Sequence, residues 1–194
     1  AVLRVNVRDR ARTYAAALPA TWRRGDANEA RRLLERAQRT MRGLKSVRQH
    51  EIVTSGPGTR AVTRYKLKAP DRMSFVTGRG VQTVQIDRIQ WARTPGTPWR
   101  RSEIPGGVPF RTRSWFRWTP YAPSVQLLAE RGDTAELALG DPATPVWIRL
   151  TVEKATARVL RERLTARARF IEGRFHAFDA PIRIEPPRGA IDGE

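Results

Sequence analysis

The sequence has no cysteine, which excludes disulfide frameworks, thiol nucleophiles and cysteine-ligated zinc or iron–sulfur centres. Histidine and methionine occur twice each, as His50, His176, Met41 and Met73. That leaves little from which to build a copper or zinc centre, and no metal site is read from it. Long apolar runs are missing as well. No stretch of about 18 apolar residues occurs, so nothing in the 194 residues reads as a membrane-spanning helix. No serine sits in a Gly-x-Ser-x-Gly elbow, and no phosphate-cradling glycine-rich loop precedes a helix. His50 and Glu51 adjoin on an expected strand and so point to opposite faces, while His176 has Asp179 nearby in a turn-like stretch. Neither arrangement supplies a nucleophile. The chain is therefore read as a non-enzyme, with no catalytic residue and no cofactor.

Acidic residues are also scarce. Asp plus Glu total 19 against 37 Lys plus Arg, a net charge of +18. Such a charge suggests nucleic acid as a partner. Yet only Lys45, Lys66, Lys68 and Lys154 are lysines, and the arginines are spread over nearly every segment with no basic motif among them, so no specific nucleic-acid partner is expected. With 40% hydrophobic and 29% charged residues the composition is that of a folded chain, and the length suits one domain. The chain opens on Ala1 without a signal-peptide pattern and reads as a mature form or a piece of a larger protein.

Residues 1–24 form a basic arm or short helix that Pro19 would end or kink. From Asp26, a good N-cap with Glu29 three residues on, a helix is expected over 26–42. Ala30, Leu33, Leu34, Ala37 and Met41 make its apolar stripe, and Gly43 is expected to stop it. After Leu44 the period changes to 2. Ala61, Thr63, Tyr65 and Leu67 alternate with Val62, Arg64, Lys66 and Lys68, a strand with one wet, cationic face. Further strands are expected at 73–77, around Val84 and Ile86, at Ile89 and Trp91, and from Pro98 to Glu103. The series continues after Leu137, over 146–152, at 159–164, at 168–172 and over 181–185. Residues 104–124 differ: Pro and Gly open the stretch, and Phe110, Trp115, Phe116, Trp118 and Tyr121 follow, five of fifteen aromatics within twelve residues.

One helix followed by many short antiparallel strands excludes a parallel βαβ architecture. The order resembles the LolA/LppX-type lipoprotein-carrier family, which includes the RseB-type sensor domain. The residues that carry the resemblance are "LKSVRQHEIVTS", "VTRYKLKAPDRMSFV", "VQIDRIQW" and the closing stretch with Phe175, Phe178 and Ile184-x-x-Pro187. Arg88 stands after Asp87 where the family hairpin commonly has glycine, which a type I turn tolerates. The opening "VLRVNVRDR" also resembles the region after the membrane spans of actinobacterial copper-resistance-type membrane proteins.

The resemblance implies an α+β fold, an antiparallel unclosed half-barrel whose concave face is covered by the N-terminal amphipathic helix and the irregular aromatic segment. It spans 25–187, with the arm 1–24 before it and a loose tail 188–194 behind. It further implies a non-enzymatic, extracytoplasmic domain that holds a lipid or acyl chain, tethered to a membrane protein or carried on the same parent chain. Trp91, Trp99, Phe110, Trp115, Phe116, Trp118 and Tyr121 are the candidates for lining or gating the apolar cavity. Arg64, Lys66 and Lys68 are the candidates for meeting an anionic membrane surface. An interaction module with a protein partner is the alternative, with Trp115–Tyr121 as its contact patch.

Overall fold

A computed structural model describes residues 3–7, 10–14, 27–55, 58–104, 115–141, 146–166 and 169–192, with only the backbone described at 3–7, 10–14, 27, 121 and 141. Helix α1 runs Ala27–Gly43. Ala30, Leu34, Ala37 and Met41, spaced four, three and four apart, are all buried, while Arg32, Arg36 and Arg39 face solvent. Glu29 in the first turn and Arg42 in the last complement the helix dipole. Gly43 is the final helical residue, and the expected cap Asp26 lies outside the described residues.

Two strands precede the helix, β1 (Leu3–Val7) and β2 (Arg10–Tyr14), paired antiparallel as a separate hairpin. A short helix in residues 1–24 is therefore not what 3–14 form. Leu3, Val5 and Val7 alternate with Arg4 and Asn6, which is strand periodicity.

Twelve further strands make one sheet: β3 (Ser46–Thr54), β4 (Arg60–Lys68), β5 (Arg72–Thr77), β6 (Gln82–Ile86), β7 (Ile89–Arg93), β8 (Arg100–Glu103), β9 (Ser124–Arg131), β10 (Thr134–Asp141), β11 (Val146–Glu153), β12 (Val159–Ala166), β13 (Arg169–His176) and β14 (Ile191–Asp192). Their order is β14-β8-β7-β6-β5-β4-β3-β13-β12-β11-β10-β9. Two meanders, β3–β8 and β9–β13, are joined by the antiparallel β3/β13 pair, and β14 adds to β8 in parallel. The sheet stays open, an antiparallel half-barrel with one helix in its concave side. Register shifts at Glu136/Leu137 and at Thr151/Val152 bend the β9–β12 half, against which α1 packs.

The core sits between α1 and the concave face. Val47, Leu67, Leu137, Leu139, Ile148, Leu150 and Val152 are buried there with Leu34, Met41 and Phe175. Two local expectations are corrected. The Asp87-Arg88 turn is not type I, because Asp87 takes a φ of 52°. Asp tolerates that left-handed region where most side chains do not. Residues 181–185 form no strand. They belong to a strap across the lower ends of β3–β5, held by Ser46 Oγ donating to Ala180 O (2.5 Å) and by Arg72 Nη1 donating to Ile184 O (3.0 Å). Ile182 and Ile184 are buried on its inner side.

Candidate concave-face site and the opposite basic face

Strand pleating sorts the residues. In cross-strand register, Val47, Gln49, Glu51 and Val53 of β3 share the concave face with Leu67, Tyr65, Thr63 and Ala61 of β4. The same face continues into Met73 and Phe75 on one side and into Phe175, Gly173, Ile171 and Leu164 on the other. At the lower end, where β3 begins, α1 fills this face. In the middle, residues 115–121 lie on it.

The structure brings part of the aromatic set together there. Phe116 and Trp118 are 1% and 3% exposed, deep in the core. Phe116 meets Phe175 edge-on at 5.5 Å and Trp118 at 5.7 Å, spacings at which aromatic pairs attract. Trp115 is only half-buried and stands 6.0 Å from Tyr65, which in turn stands 5.4 Å from Phe75. The segment is tied down at both ends. Gln38 of α1 accepts from Trp118 N (2.7 Å), Thr119 N (3.0 Å) and Thr119 Oγ1 (3.1 Å), and Trp115 Nε1 donates to Gln49 Oε1 (3.3 Å). Tyr121 belongs to the 3-10 turn Thr119–Tyr121. Phe110 lies outside the described residues.

Trp91 and Trp99 do not join this group. Cross-strand register places Trp91 with Val84 and Arg101, in line with Ser74 and Lys66 on the opposite face. Trp99 lies under the Arg93 guanidinium, 4.6 Å from its ring centre, and Arg93 shares Trp91's face. Arg64 and Lys66 point outward on the convex face and are exposed, whereas Lys68 is half-buried beside the 179–183 strap.

A polar row beneath the aromatic segment escaped the sequence reading. Glu162, Gly173, Glu51 and Thr63 lie side by side across four strands of the concave face. Gly173 has no side chain and leaves room between the two carboxyls. A Cβ there would come within 3.2 Å of Gln49 Nε2. Tyr65 Oη donates to Glu51 Oε1 at 3.2 Å and Gln49 Nε2 to Oε2 at 3.4 Å. Burial pushes the Glu51 carboxyl up and, with the neighbouring Glu51 charge, pushes the Tyr65 phenol up to about 12. Glu162 is half-buried as a residue, but its carboxyl lies against Trp118 away from water. Burial, despite that Trp118 hydrogen bond, pushes the group up to about 7. The available signal was strand parity: counting back by two from Leu164 puts Glu162 on the apolar face.

A hollow of about 500 Å³ between α1 and β9 is lined mostly by charged side chains, including Glu29, Arg32, Arg39 and Lys154, an ill match for an acyl chain. Among the described residues, no group of three or more His, Cys, Asp or Glu side chains could hold a metal ion, and no helix is long and apolar enough to cross a membrane.

No protein-family model matches the chain, and no curated protein matches it in sequence. Solved structures do. The Mycobacterium tuberculosis lipoprotein LppX is similar over 80% of this chain and 99% of its own, at 14% identity and a TM-score of 0.59. This chain has the LolA/LppX-like fold. LprF from Mycobacterium bovis is similar over 84% of this chain and 98% of its own, at 14% identity and a TM-score of 0.56. At such identities the likeness is one of fold. Within this LppX-like frame the covering helix, the open sheet and the antiparallel order all stand where the sequence resemblance implied.

Proposed function

We propose that the chain is a non-enzymatic, extracytoplasmic domain that holds a lipid or other apolar ligand against the concave face of its half-barrel. The observation that carries this reading is the uneven filling of that face. The part under α1 is packed solid by Leu34, Met41, Phe116 and Trp118, while Tyr65, Phe75 and Trp115 on the β4–β5 side and Val146 and Leu164 at the upper end remain only partly buried. Apolar surface that the fold's own cover does not finish burying, on both sides of the Glu162–Glu51 row, is where an acyl chain gains by leaving water. Trp115 borders it, with Tyr65 and Phe75 beside it. Phe116 and Trp118 act as the fixed anchor of the cover. The likeness to the lipoprotein LppX supports an extracytoplasmic setting, and Arg64 and Lys66 on the wet face suit an anionic membrane nearby.

Native mass spectrometry of mildly purified protein is expected to show adducts at lipid masses. A fluorescent acyl probe is expected to bind saturably, and more weakly to Phe75→Ser than to the parent. A ligand-free spectrum together with no saturable probe binding would sink the reading. That result would favour the interaction module, with Trp115–Tyr121 as its contact patch.

A further inference from the structure

The convex face carries a second pattern. Trp147 of β11 and Phe170 of β13 are 43% and 55% exposed. Register places them in one cross-strand row, Trp147–Thr165–Phe170, at the upper end of the sheet and about 10 Å apart. Trp147 lies over Gly140, where a Cβ would meet its ring at 2.3 Å, so the indole is seated against the sheet and still open to water. The next row down is Arg149–Arg163–Glu172, and the row after that is Thr151–Arg161–Arg174.

Between these rows lies a shallow hollow of about 390 Å³ walled by Arg131, Arg149, Arg161 and Arg163, with Glu136 the one carboxylate in its lining. Glu172 bridges Arg161 (2.7 Å), Arg174 (3.0 Å) and Arg163 (3.7 Å), and Glu136 binds Arg149 (2.7 Å). Two carboxylates thus serve four guanidinium groups, and the buried Nε of Arg161 has no acceptor among the described residues. The excess is positive, it is concentrated beside exposed aromatics, and the chain as a whole carries +18.

We propose that this rim docks on an anionic bilayer, Trp147 and Phe170 entering the headgroup boundary and the arginine hollow taking lipid phosphates. Tryptophan and phenylalanine gain by burial at such a boundary, and guanidinium forks pair with phosphate oxygens. A duplex nucleic acid would use the arginines and have no need of two apolar side chains placed to lead the contact. The docking surface is opposite to the concave face. It extends the membrane setting proposed above to a defined patch, and its failure leaves ligand retention on the other face unaffected.

The test is co-sedimentation of the full 194-residue chain with phosphatidylcholine vesicles containing or lacking phosphatidylglycerol. Binding is expected only with phosphatidylglycerol, falling as salt rises, with a blue shift of tryptophan emission. Phe170→Ser is expected to weaken it several-fold, and Arg149→Gln with Arg163→Gln roughly tenfold or more. Arg32→Gln with Arg39→Gln, the same charge change on the exposed side of α1, is expected to change it less than twofold. Phe170 is more than half exposed, so its replacement leaves the fold intact, which thermal melts of each variant verify. Equal losses from the α1 pair would show that net charge alone drives binding and would overturn the proposal. So would an unaffected Phe170→Ser, or rim variants that lose duplex DNA while keeping vesicles.

Discussion

Glu162 is the residue whose environment does most to set the behaviour of the concave face. Its carboxyl faces Trp118 from the cover, Glu51 from β3 and, beyond Glu51, Tyr65 of β4 and the Arg169 guanidinium of β13. Its pKa is raised on folding, from about 4.5 to about 7, so the native state holds more protons than the unfolded chain between those values. Stability from this group is therefore full below the unfolded value and falls as pH rises through the folded one. Above pH 7 a charged carboxylate is trapped under Trp118, and opening the cover relieves it. Glu162→Gln is expected to raise stability at pH 8 by about 1–3 kcal/mol and to leave it little changed at pH 4, as read from urea melts at both pH values. A wild-type protein equally stable at pH 5 and pH 8 would contradict this account. The carboxylate row was readable only in hindsight, because Arg161, Glu162 and Arg163 together look like a solvated charge run. The aromatic cluster was readable, since its density is visible without any register. Splitting it into buried Phe116 and Trp118 and half-open Trp115 needed the positions of Gln38 and Gln49, which no local pattern signals.

At the scale of elements, α1 and the 115–121 segment form one cover, tied to each other at Gln38. Its amide oxygen accepts from two backbone N–H groups and one hydroxyl of the segment. Replacing it with alanine leaves those buried donors without their acceptor. Gln38→Ala is expected to cost about 1–3 kcal/mol and to speed proteolytic cleavage between β8 and β9. Leu34→Ala, which removes a fully buried side chain of the same helix, is expected to cost about 2–5 kcal/mol with slower change in that cleavage pattern. Equal cleavage in both variants would show that the segment simply follows global stability. The helix was legible because its stripe, its charges and its length all agree. The hairpins from β4 to β7 were legible because turn residues punctuate clean alternation. β9 was not: Gln126 is buried among Val125 and Leu127, and the register shift at Glu136/Leu137 breaks the period its partner would show. The 181–185 stretch misleads in the opposite sense. Ile182 and Ile184 alternate because one side of a strap is buried, and burial of one side gives period 2 with or without a hydrogen-bonded ladder.

For the whole molecule, an open sheet leaves two edges and a convex face that only side chains protect. The residues that follow β13 answer part of this problem. After β13 the strap crosses the lower ends of β3–β5, with Asp179 N donating to Ser46 O (2.8 Å) and the Asp179 carboxylate accepting from Lys45 N (2.7 Å). It buries Ile182 and Ile184, and the chain then pairs Ile191 and Asp192 with β8. These two parts do different work, and truncation separates them. Ending the chain after Pro187 removes a two-residue strand and the exposed Arg101–Asp192 ion pair (3.5 Å), both worth little. Such a chain is expected to keep its urea midpoint within about 1 kcal/mol of stability but to uncover the β8 edge and associate at high concentration. Ending it after His176 also removes the strap. Two buried isoleucines at roughly 1.5–3 kcal/mol each, with the Ser46 and Lys45 backbone groups left unpaired, put the loss at about 3–6 kcal/mol or more, a large fraction of a domain's stability. Denaturation midpoints and sedimentation velocity of the two truncations decide the matter. If the shorter chain is as stable as the longer, the strap is an ornament on a sheet that the α1-side core alone holds together.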